Sequence, residues 1–263
     1  VAAVSVPIES TAELGVIDVD KDGLIVGFQE KPAKPSSIPG RPGEAFASMG
    51  NYLFKTEALI SELKEDALRE ETQHDFGRNV IPLLYQKRRV FAYDFKENRI
   101  PGEESSREPG YWRDIGTIDS YYQANMDLRA ITPYFNLYNP RWPIKTTDYT
   151  ELPPAKFVFD EHGRRGIALN SIVCEGTIVS GGEIRDCVVG RNVFVHSYSE
   201  IDQSVLMDNV EIGRHARIKR TIIDKNVKIP EGATIGYNLE EDRKKYHVSP
   251  GGVVVIPRTE PKE

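Results

Sequence analysis

The sequence contains few of the residues that mark disulfide-stabilised or membrane-spanning proteins. It has 2 cysteines in 263 residues, too few for a disulfide framework or a thiolate metal site. No run approaches the roughly 20 apolar residues that cross a bilayer, and the first residues do not resemble a signal peptide. We therefore expect a cytoplasmic protein in which Cys174 and Cys187 are reduced packing residues.

Basic residues are fewer than acidic ones, with 34 Lys and Arg against 40 Asp and Glu. The formal net charge is -6 and the isoelectric point is about 5.6, which argues against a surface that attracts nucleic acid or an anionic membrane. We expect neither as a partner. With 39% hydrophobic and 28% charged residues, the composition fits a soluble globular chain that buries one or two cores.

The first 131 residues mix strand and helix patterns, as an α/β unit does. Segments 15–18 and 24–28 predict a hairpin, because residues 20–23 read DKDG and supply a turn. Segment 51–54 reads as a further strand. Thr56 is predicted to cap a helix that buries Leu59, Ile60 and Leu63.

Prolines are dense between Thr132 and Gly166, a composition that disfavours helices and interior strands. This segment predicts an extended linker. The expected domain limits are therefore 1–132 for the α/β part, 133–166 for the linker, and 167–263 for a second domain with its C-terminal tail.

Aliphatic residues in that second domain recur with a spacing of six, six and five positions, repeated four times. The series is Ile172, Ile178, Ile184, Val189, Val195, Ile201, Leu206, Ile212, Ile218, Ile223, Ile229 and Ile235. This hexapeptide pattern predicts a parallel β-helix whose coils each point one aliphatic side chain per face inward. Ordinary hairpins would need closer turns and strict alternation. Cys174 and Cys187 are out of phase with the repeat, so no disulfide is expected between them.

Two short segments carry candidate chemistry in the first domain. In FQEKP, Pro32 is expected to hold Lys31 in an extended conformation at a strand end. A carboxylate such as Glu30, which accepts from sugar hydroxyls, beside an ammonium that meets a phosphate would suit a phosphosugar. A surface ion pair is the alternative. In HDFGRNVIP, Asp75 is predicted to start a helix.

The segment YWRDIGT places Asp114 just before a helix that Thr117 is expected to cap, running from Ile118 to about Arg129. A carboxylate there could hold Mg²⁺, which prefers one or two carboxylates plus phosphate oxygens. An Asp that only hydrogen-bonds the following turn is the alternative.

Basic residues cluster in the second domain at 214–220 and 243–245. Such clusters are usually solvated, and a site for a phosphate-bearing effector is the sharper hypothesis. His196 and His215 fall within the predicted β-helix, where a catalytic role is the minor alternative.

Taken in order, several stretches resemble the bacterial glucose-1-phosphate adenylyltransferases along the whole chain. They are ELGVIDVD, FQEKPAKP, FASMGNYLF, HDFGRNVIP, YWRDIGTIDSYYQANMDL, NPRWPI, LPPAKFV and IPEGATIGYNLEED. The resemblance implies a Rossmann-like α/β nucleotidyltransferase domain, present in part, followed by a left-handed parallel β-helix with hexapeptide repeats. It also implies a homotetrameric allosteric enzyme of glycogen biosynthesis that converts ATP and glucose 1-phosphate into ADP-glucose and pyrophosphate.

The same resemblance implies roles for individual residues. Gly15, Glu30, Lys31 and Ser48 match the glucose 1-phosphate site, with Lys31 on the phosphate and Glu30 on the sugar hydroxyls. Asp114 matches the metal-binding carboxylate for Mg²⁺, so Lys31 and Asp114 are the expected catalytic residues. Lys244 lies in the region that resembles the segment for a phosphorylated metabolite effector.

One departure from the family bears on activity. The Gly-rich loop that holds the ATP phosphates, and a second metal-binding Asp, have no counterpart in this sequence. We therefore expect a C-terminal part that lacks the N-terminal nucleotide-binding segment and is inactive by itself. The alternatives are a non-catalytic regulatory subunit of the same family, another sugar-1-phosphate nucleotidyltransferase, and a β-helix acyltransferase, which the front domain disfavours.

Overall fold

A computed structural model describes residues 1–12, 14–102, 110–145, 152–160 and 163–258. The chain divides into two compact units, Val1–Trp112 and Arg113–Glu263. Within the described ranges, no helix has the length and apolar character needed to cross a membrane.

The first unit is built on a five-stranded mixed sheet with the strand order β3-β2-β4-β1-β5. Strand β1 is antiparallel to β4 and parallel to β5, and β2 is antiparallel to both β3 and β4. The strands are β1 (Ala2–Pro7), β2 (Gly15–Val19), β3 (Ile25–Glu30), β4 (Glu44–Ser48) and β5 (Tyr93–Asp94). Two α-helices belong to this unit, α1 (Thr56–Asp66) and α2 (Ile81–Lys87).

The predicted hairpin is confirmed as β2 and β3. One oxygen of Asp20 accepts hydrogen bonds from the backbone N–H groups of Asp22 and Leu24, each at 2.9 Å. Gly23 closes the turn at φ 79°, a left-handed conformation that costs glycine little. The turn chemistry read from the sequence therefore sets the register of this pair.

Helix α1 departs from its prediction at both its start and its buried face. Thr56 is the first helical residue, and Lys55 precedes the helix without a side-chain capping bond, so the predicted Thr56 cap is wrong by one position. Ile60 and Leu63 are exposed, whereas Glu62 and Asp66 are buried. The segment 51–54 contains no strand, which also contradicts the prediction.

Polar partners explain why two carboxylates can lie on the inner face of α1. Glu62 is 3.3 Å from the Arg88 Nε atom and 3.6 Å from the Lys87 ammonium. Asp66 lies 2.8 Å from the His74 Nδ1 atom. Buried carboxylates are tolerated when they are paired, so these partners reverse the face that hydrophobic periodicity predicts.

Asp75 begins the next helical segment, as predicted. Its side chain accepts a hydrogen bond of 2.8 Å from the Arg78 N–H. A turn of π-helix at Phe76–Val80 then leads directly into α2. This capping bond satisfies one of the N–H groups that a helix start leaves without an intrahelical partner.

The second unit consists of helix α3 (Ile118–Leu128), a parallel β-helix, and a short helix α4 (Leu239–Arg243). The β-helix has three sheets of short strands, and its coil-to-coil pairs are parallel. The first sheet contains β7 (Ile167–Leu169), β10 (Glu183–Arg185), β13 (Glu200–Asp202), β16 (Arg217–Lys219) and β19 (Thr234–Ile235). The second contains β8 (Ile172–Val173), β11 (Val188–Val189), β14 (Val205–Leu206), β17 (Thr221–Ile223) and β21 (Val254–Ile256), with β20 (His247–Val248) antiparallel to β21. The third contains β6 (Lys156–Phe157), β9 (Ile178–Val179), β12 (Phe194–Val195), β15 (Glu211–Ile212) and β18 (Lys228–Ile229).

The hexapeptide prediction is confirmed, with a correction in the first coil. From Ile184 onward the predicted residues pair across coils and are buried, as in the column Ile184, Ile201, Ile218 and Ile235. In the first coil, however, Val173 and Val179 occupy the inward register in place of Ile172 and Ile178. The corner from Val179 to Ile184 is one residue shorter than the equivalent corner from Val195 to Ile201 in the next coil, which shifts the inward positions.

Asparagines form a ladder at one corner of the β-helix. Asn192 donates to Asn209 at 2.9 Å, and Asn209 donates to Asn226 at 3.1 Å. All three residues have φ between 54° and 62°, a region that asparagine tolerates better than most residues. The repeat therefore encodes its corner geometry as well as its aliphatic core.

Helix α3 packs against the second sheet of the β-helix. Tyr122 and Met126 form an apolar cluster with Val205, Ile222 and Val253. The Tyr122 hydroxyl donates to the Gln203 carbonyl at 2.7 Å. The contacts of α3 place it in the same compact unit as the β-helix, and the predicted limits of 1–132, 133–166 and 167–263 stay a prediction.

Both cysteines are free thiols, as expected from their phase. Burial raises the pKa of Cys187 to about 12 and also raises that of Cys174. Their environment is that of packing residues, because low-pKa thiolates are the reactive ones.

Candidate functional site

Three of the predicted sugar-phosphate residues lie side by side at one end of the first sheet. Gly15 on β2 is paired with Glu30 on β3. The pairing of Val16 with Ala47 brings Ser48 on β4 next to Gly15 on its other side. We call Glu30, Gly15 and Ser48 the strand-end row.

Gly15 allows Glu30 to approach the middle strand of this row. A Cβ atom at position 15 would lie 3.1 Å from the Glu30 Oε2 atom and 3.2 Å from the Phe28 ring. Both separations are tighter than ordinary van der Waals contacts. A larger residue would therefore displace the carboxylate, which explains why glycine suits this position.

Lys31 follows the row in a conformation that the sequence did not predict. Its φ is 48°, in the left-handed region, and its N–H donates to the Leu14 carbonyl at 3.0 Å. The expectation of an extended Lys31 is therefore wrong. Pro32 favours an extended backbone at Lys31. The hydrogen bond from the Lys31 N–H to Leu14, the residue before β2, outweighs that preference.

The structure adds Tyr52, Phe76 and Asp75 to the surroundings of the row. The Tyr52 ring stacks on Phe76 with the centroids 5.5 Å apart. Partial burial raises the pKa of Tyr52, a hydrogen bond with Ser48 opposes that rise, and the charges of Asp75 and Glu30 add to it. Tyr52 therefore stays a neutral hydroxyl near neutral pH, able to donate and accept hydrogen bonds.

Sequence reasoning missed these neighbours for a physical reason. HDFGRNVIP predicted a helix start and 51–54 predicted a strand, and neither prediction placed a side chain beside Ser48. No local pattern links Tyr52 to Phe76, and only tertiary packing stacks the two rings. The signal that could have identified Tyr52 is its position four residues after Ser48.

Asp114 belongs to the second unit and is exposed. Its Oδ1 atom accepts a hydrogen bond of 2.9 Å from the Gly116 N–H, so the turn-forming alternative is observed. The described part of the chain contains no group of three or more acidic, histidine or cysteine side chains that could hold a metal. A lone carboxylate still fits Mg²⁺, which takes most of its ligands from water and phosphates in such sites.

Lys244 is exposed just after α4, and its ammonium lies 2.6 Å from Glu241 Oε1. The neighbouring Arg243 pairs in the same way with Glu240. These contacts are those of a solvated helix face, and the effector role of Lys244 stays a prediction. Further basic residues lie on aromatic rings, Arg214 over Tyr198 and Arg217 over Tyr237.

A cavity of about 800 Å³ opens beside β1 in the first unit. Its lining combines apolar residues with the basic residues Lys55, Arg88 and Arg89, and it contains none of the strand-end row. None of the predicted sugar-phosphate residues lines this cavity.

Two family models match successive parts of this chain. The family model described as "Nucleotidyl transferase" matches residues 1–131, and the model described as "GlmU-like, C-terminal hexapeptide" matches residues 153–256. A glucose-1-phosphate adenylyltransferase from Anaeromyxobacter sp. (strain Fw109-5) is 51% identical over 261 residues, covering 98% of this chain and 63% of its own length. Over nearly its whole length, this chain is similar to glucose-1-phosphate adenylyltransferases.

Further relatives are similar over the same span. The glucose-1-phosphate adenylyltransferase of Thermus thermophilus is 52% identical over 260 residues, covering 98% of this chain and 62% of the relative. "Glucose-1-phosphate adenylyltransferase 1" of Vibrio parahaemolyticus is 46% identical over 258 residues, with 98% and 62% coverage. The chain thus spans a little under two thirds of the length of the curated adenylyltransferases that it matches.

Proposed function

We propose that this chain supplies the glucose 1-phosphate site of an adenylyltransferase that forms ADP-glucose and pyrophosphate from ATP and glucose 1-phosphate. The observation that carries the proposal is the strand-end row, which sets a carboxylate, a glycine and a hydroxyl side by side just before Lys31. The names of the relatives support the choice of glucose 1-phosphate and of the adenylyl group.

In this proposal each residue has a chemical role. The Glu30 carboxylate accepts hydrogen bonds from sugar hydroxyls, and Gly15 leaves the space for that carboxylate. The Lys31 ammonium neutralises the sugar phosphate, while Ser48 and Tyr52 offer hydroxyls beside it.

The reaction is a phosphoryl-type displacement. An oxygen of the sugar phosphate attacks the α-phosphorus of ATP, a new P–O bond forms, and the bond to the leaving pyrophosphate breaks. No covalent enzyme intermediate is needed, so the side chains contribute alignment and charge neutralisation. Bound Mg²⁺ would neutralise phosphate charge, and Asp114 is the residue that would hold it.

The wider biology is part of the same proposal. We expect a cytoplasmic homotetramer in glycogen biosynthesis, regulated by a phosphorylated metabolite for which Lys244 is a candidate contact. The flat faces of a β-helix favour self-association, which supports the oligomer but not its symmetry.

The test is pyrophosphate release from ATP, Mg²⁺ and glucose 1-phosphate. We would assay the 263-residue chain and a longer form that matches the full length of the relatives. We expect activity in the longer form alone. Turnover by the 263-residue chain would refute its expected inactivity, and silence in both would favour a regulatory subunit. A preference for UTP, CTP or GTP over ATP would indicate another sugar nucleotidyltransferase.

A further inference from the structure

Asp119, in the first turn of α3, is bonded to a loop that lies 130 positions further along the chain. Its Oδ1 atom accepts from the Ser249 hydroxyl at 2.6 Å, and its Oδ2 atom accepts from the Gly251 N–H at 3.0 Å. Both oxygens of the carboxylate therefore hold the loop between β20 and β21. Hydrogen bonds to an ionised group are stronger than neutral ones, so this contact fixes the start of α3 firmly.

The loop that Asp119 contacts is itself well held. Ser249 is 1% exposed, and its Oγ atom also accepts a hydrogen bond of 3.0 Å from the Val253 N–H. The Arg220 guanidinium, which lies over the Tyr122 ring of α3, donates to the Gly251 carbonyl at 3.0 Å. The anchor point is therefore a fixed part of the β-helix.

Local hydrogen bonds also hold the segment between Asp114 and Asp119. The first turn of α3 is closed by a capping box, in which Thr117 and Ser120 each bond the backbone N–H of the other. One residue earlier, the Gly116 N–H donates to Asp114 Oδ1 at 2.9 Å. Only short, internally bonded steps separate the Asp119 anchor from the Asp114 carboxylate.

We propose that Asp119 is a positioning residue, through which the loop between β20 and β21 sets the place of the Asp114 carboxylate. The inference rests on the proposed function, because it gives Asp114 a metal to bind. If Asp119 has this role, the loop between β20 and β21 helps to determine how well Asp114 binds a metal. Removing the anchor frees the first turn of α3 and lets the Asp114 turn sample other conformations.

The anchor can be broken from either side. Asp119→Ala deletes the carboxylate. Gly251→Ala leaves α3 unchanged in sequence but places a methyl group 2.5 Å from Asp119 Oδ1, which forces the carboxylate away. Asp127→Ala is the matched control, because Asp127 lies at the other end of α3 and contacts Gln123. Melting temperatures of all variants would verify that each one folds.

The first measurement needs no metal. Exchange of the Gly116 amide with water is followed by NMR in the full 263-residue chain. We expect exchange about tenfold faster in both anchor variants and unchanged in Asp127→Ala, because loss of the anchor opens the turn locally. Unchanged exchange in Asp119→Ala and Gly251→Ala would overturn the positioning role, whatever the metal does.

The second measurement adds Mn²⁺ and follows the broadening of the Gly116 and Thr117 amide signals. We expect the anchor variants to need about tenfold more Mn²⁺, the low end of the loss seen when the support of a metal ligand is removed. Asp114→Asn should abolish the local broadening. Equal broadening in wild type and Asp114→Asn would refute the metal role of Asp114 in the proposed function. Equal Mn²⁺ requirements in wild type and the anchor variants would overturn the inferred control of metal binding.

Discussion

Lys31 has a left-handed backbone, a conformation that is uncommon for a residue with a side chain. The bond from its N–H to the Leu14 carbonyl holds it there, directly after Glu30. The protein thus places an ammonium group at a strand end by using backbone pairing, and not through the extended geometry that Pro32 favours. This position suits a residue that must present its charge to a ligand.

Lys31→Ala should raise the KM for glucose 1-phosphate by about tenfold or more in the active, longer form. The reason is that a charge-assisted hydrogen bond contributes about 1.5–3 kcal/mol. The KM for ATP should change little. Lys34→Ala is the matched control, since it removes a nearby exposed lysine that has no role in the proposed site. Steady-state kinetics with each substrate varied in turn would decide, and equal effects on both KM values would contradict the assigned role.

The two thiols should differ sharply in reactivity. Cys187 is fully buried with a pKa of about 12, so at pH 8 only about one thiol in ten thousand is ionised. Cys174 is only partly buried. A chromogenic disulfide reagent should therefore label Cys174 slowly in the native protein and Cys187 only after denaturation. Cys174→Ala should abolish native labelling, and rapid labelling of that variant would show that Cys187 is accessible.

At the scale of the element, the first coil of the β-helix shows how one residue changes which side chains are inside. Successive residues of a strand point to opposite faces, so a shift of one position exchanges the two sets. The short corner at Ser180, Gly181 and Gly182 produces this shift. As a result Val179 is fully buried, and the larger Ile178 is only partly buried.

Val179→Ala should therefore destabilise the protein more than Ile178→Ala, although isoleucine loses more atoms. Loss of a fully buried valine side chain and the cavity it leaves should cost about 2–3 kcal/mol. The Ile178 substitution should cost about 1 kcal/mol, because part of that side chain already contacts water. Denaturant titrations of the two variants would test the order, and a larger loss for Ile178→Ala would restore the register predicted from sequence.

At the scale of the whole molecule, α3 decides where the second unit begins. The match to the nucleotidyl transferase model ends at residue 131, whereas the compact unit begins at Arg113. The helix covers Val205 and Ile222 on the second sheet and Val253 just before β21, and Asp119 and Tyr122 bond to neighbouring loops of the β-helix. The boundary of the family match at residue 131 therefore differs from the boundary between the compact units at Arg113.

A truncated protein comprising residues 113–263 should be more stable than one comprising 133–263. The shorter form lacks Tyr122 and Met126, whose burial should contribute at least about 3 kcal/mol, or about 10 °C in Tm. Thermal unfolding by circular dichroism would compare the two. Equal melting temperatures would mean that α3 contributes nothing to the β-helix, and Tyr122→Ala in the longer form would serve as an intermediate case.

The sequence alone determined the features that depend on local chemistry or on a regular period. The DKDG turn, the caps at Asp75 and Thr117, and the hexapeptide repeat from Ile184 onward follow from which residues stand next to one another. These features could be predicted because local contacts between sequence neighbours stabilise them in the folded protein, in agreement with the global fold.

Only the tertiary structure decided the features in which distant partners outweigh local preference. Glu62 and Asp66 lie on the inner face of α1 because Arg88, Lys87 and His74 meet them there. Lys31 leaves the extended region because Leu14 bonds its backbone. Tyr52 stacks on Phe76, and Asp119 bonds to Ser249, across separations that no local pattern encodes. In each case the free energy of a long-range contact exceeds the small preference that the sequence neighbours express.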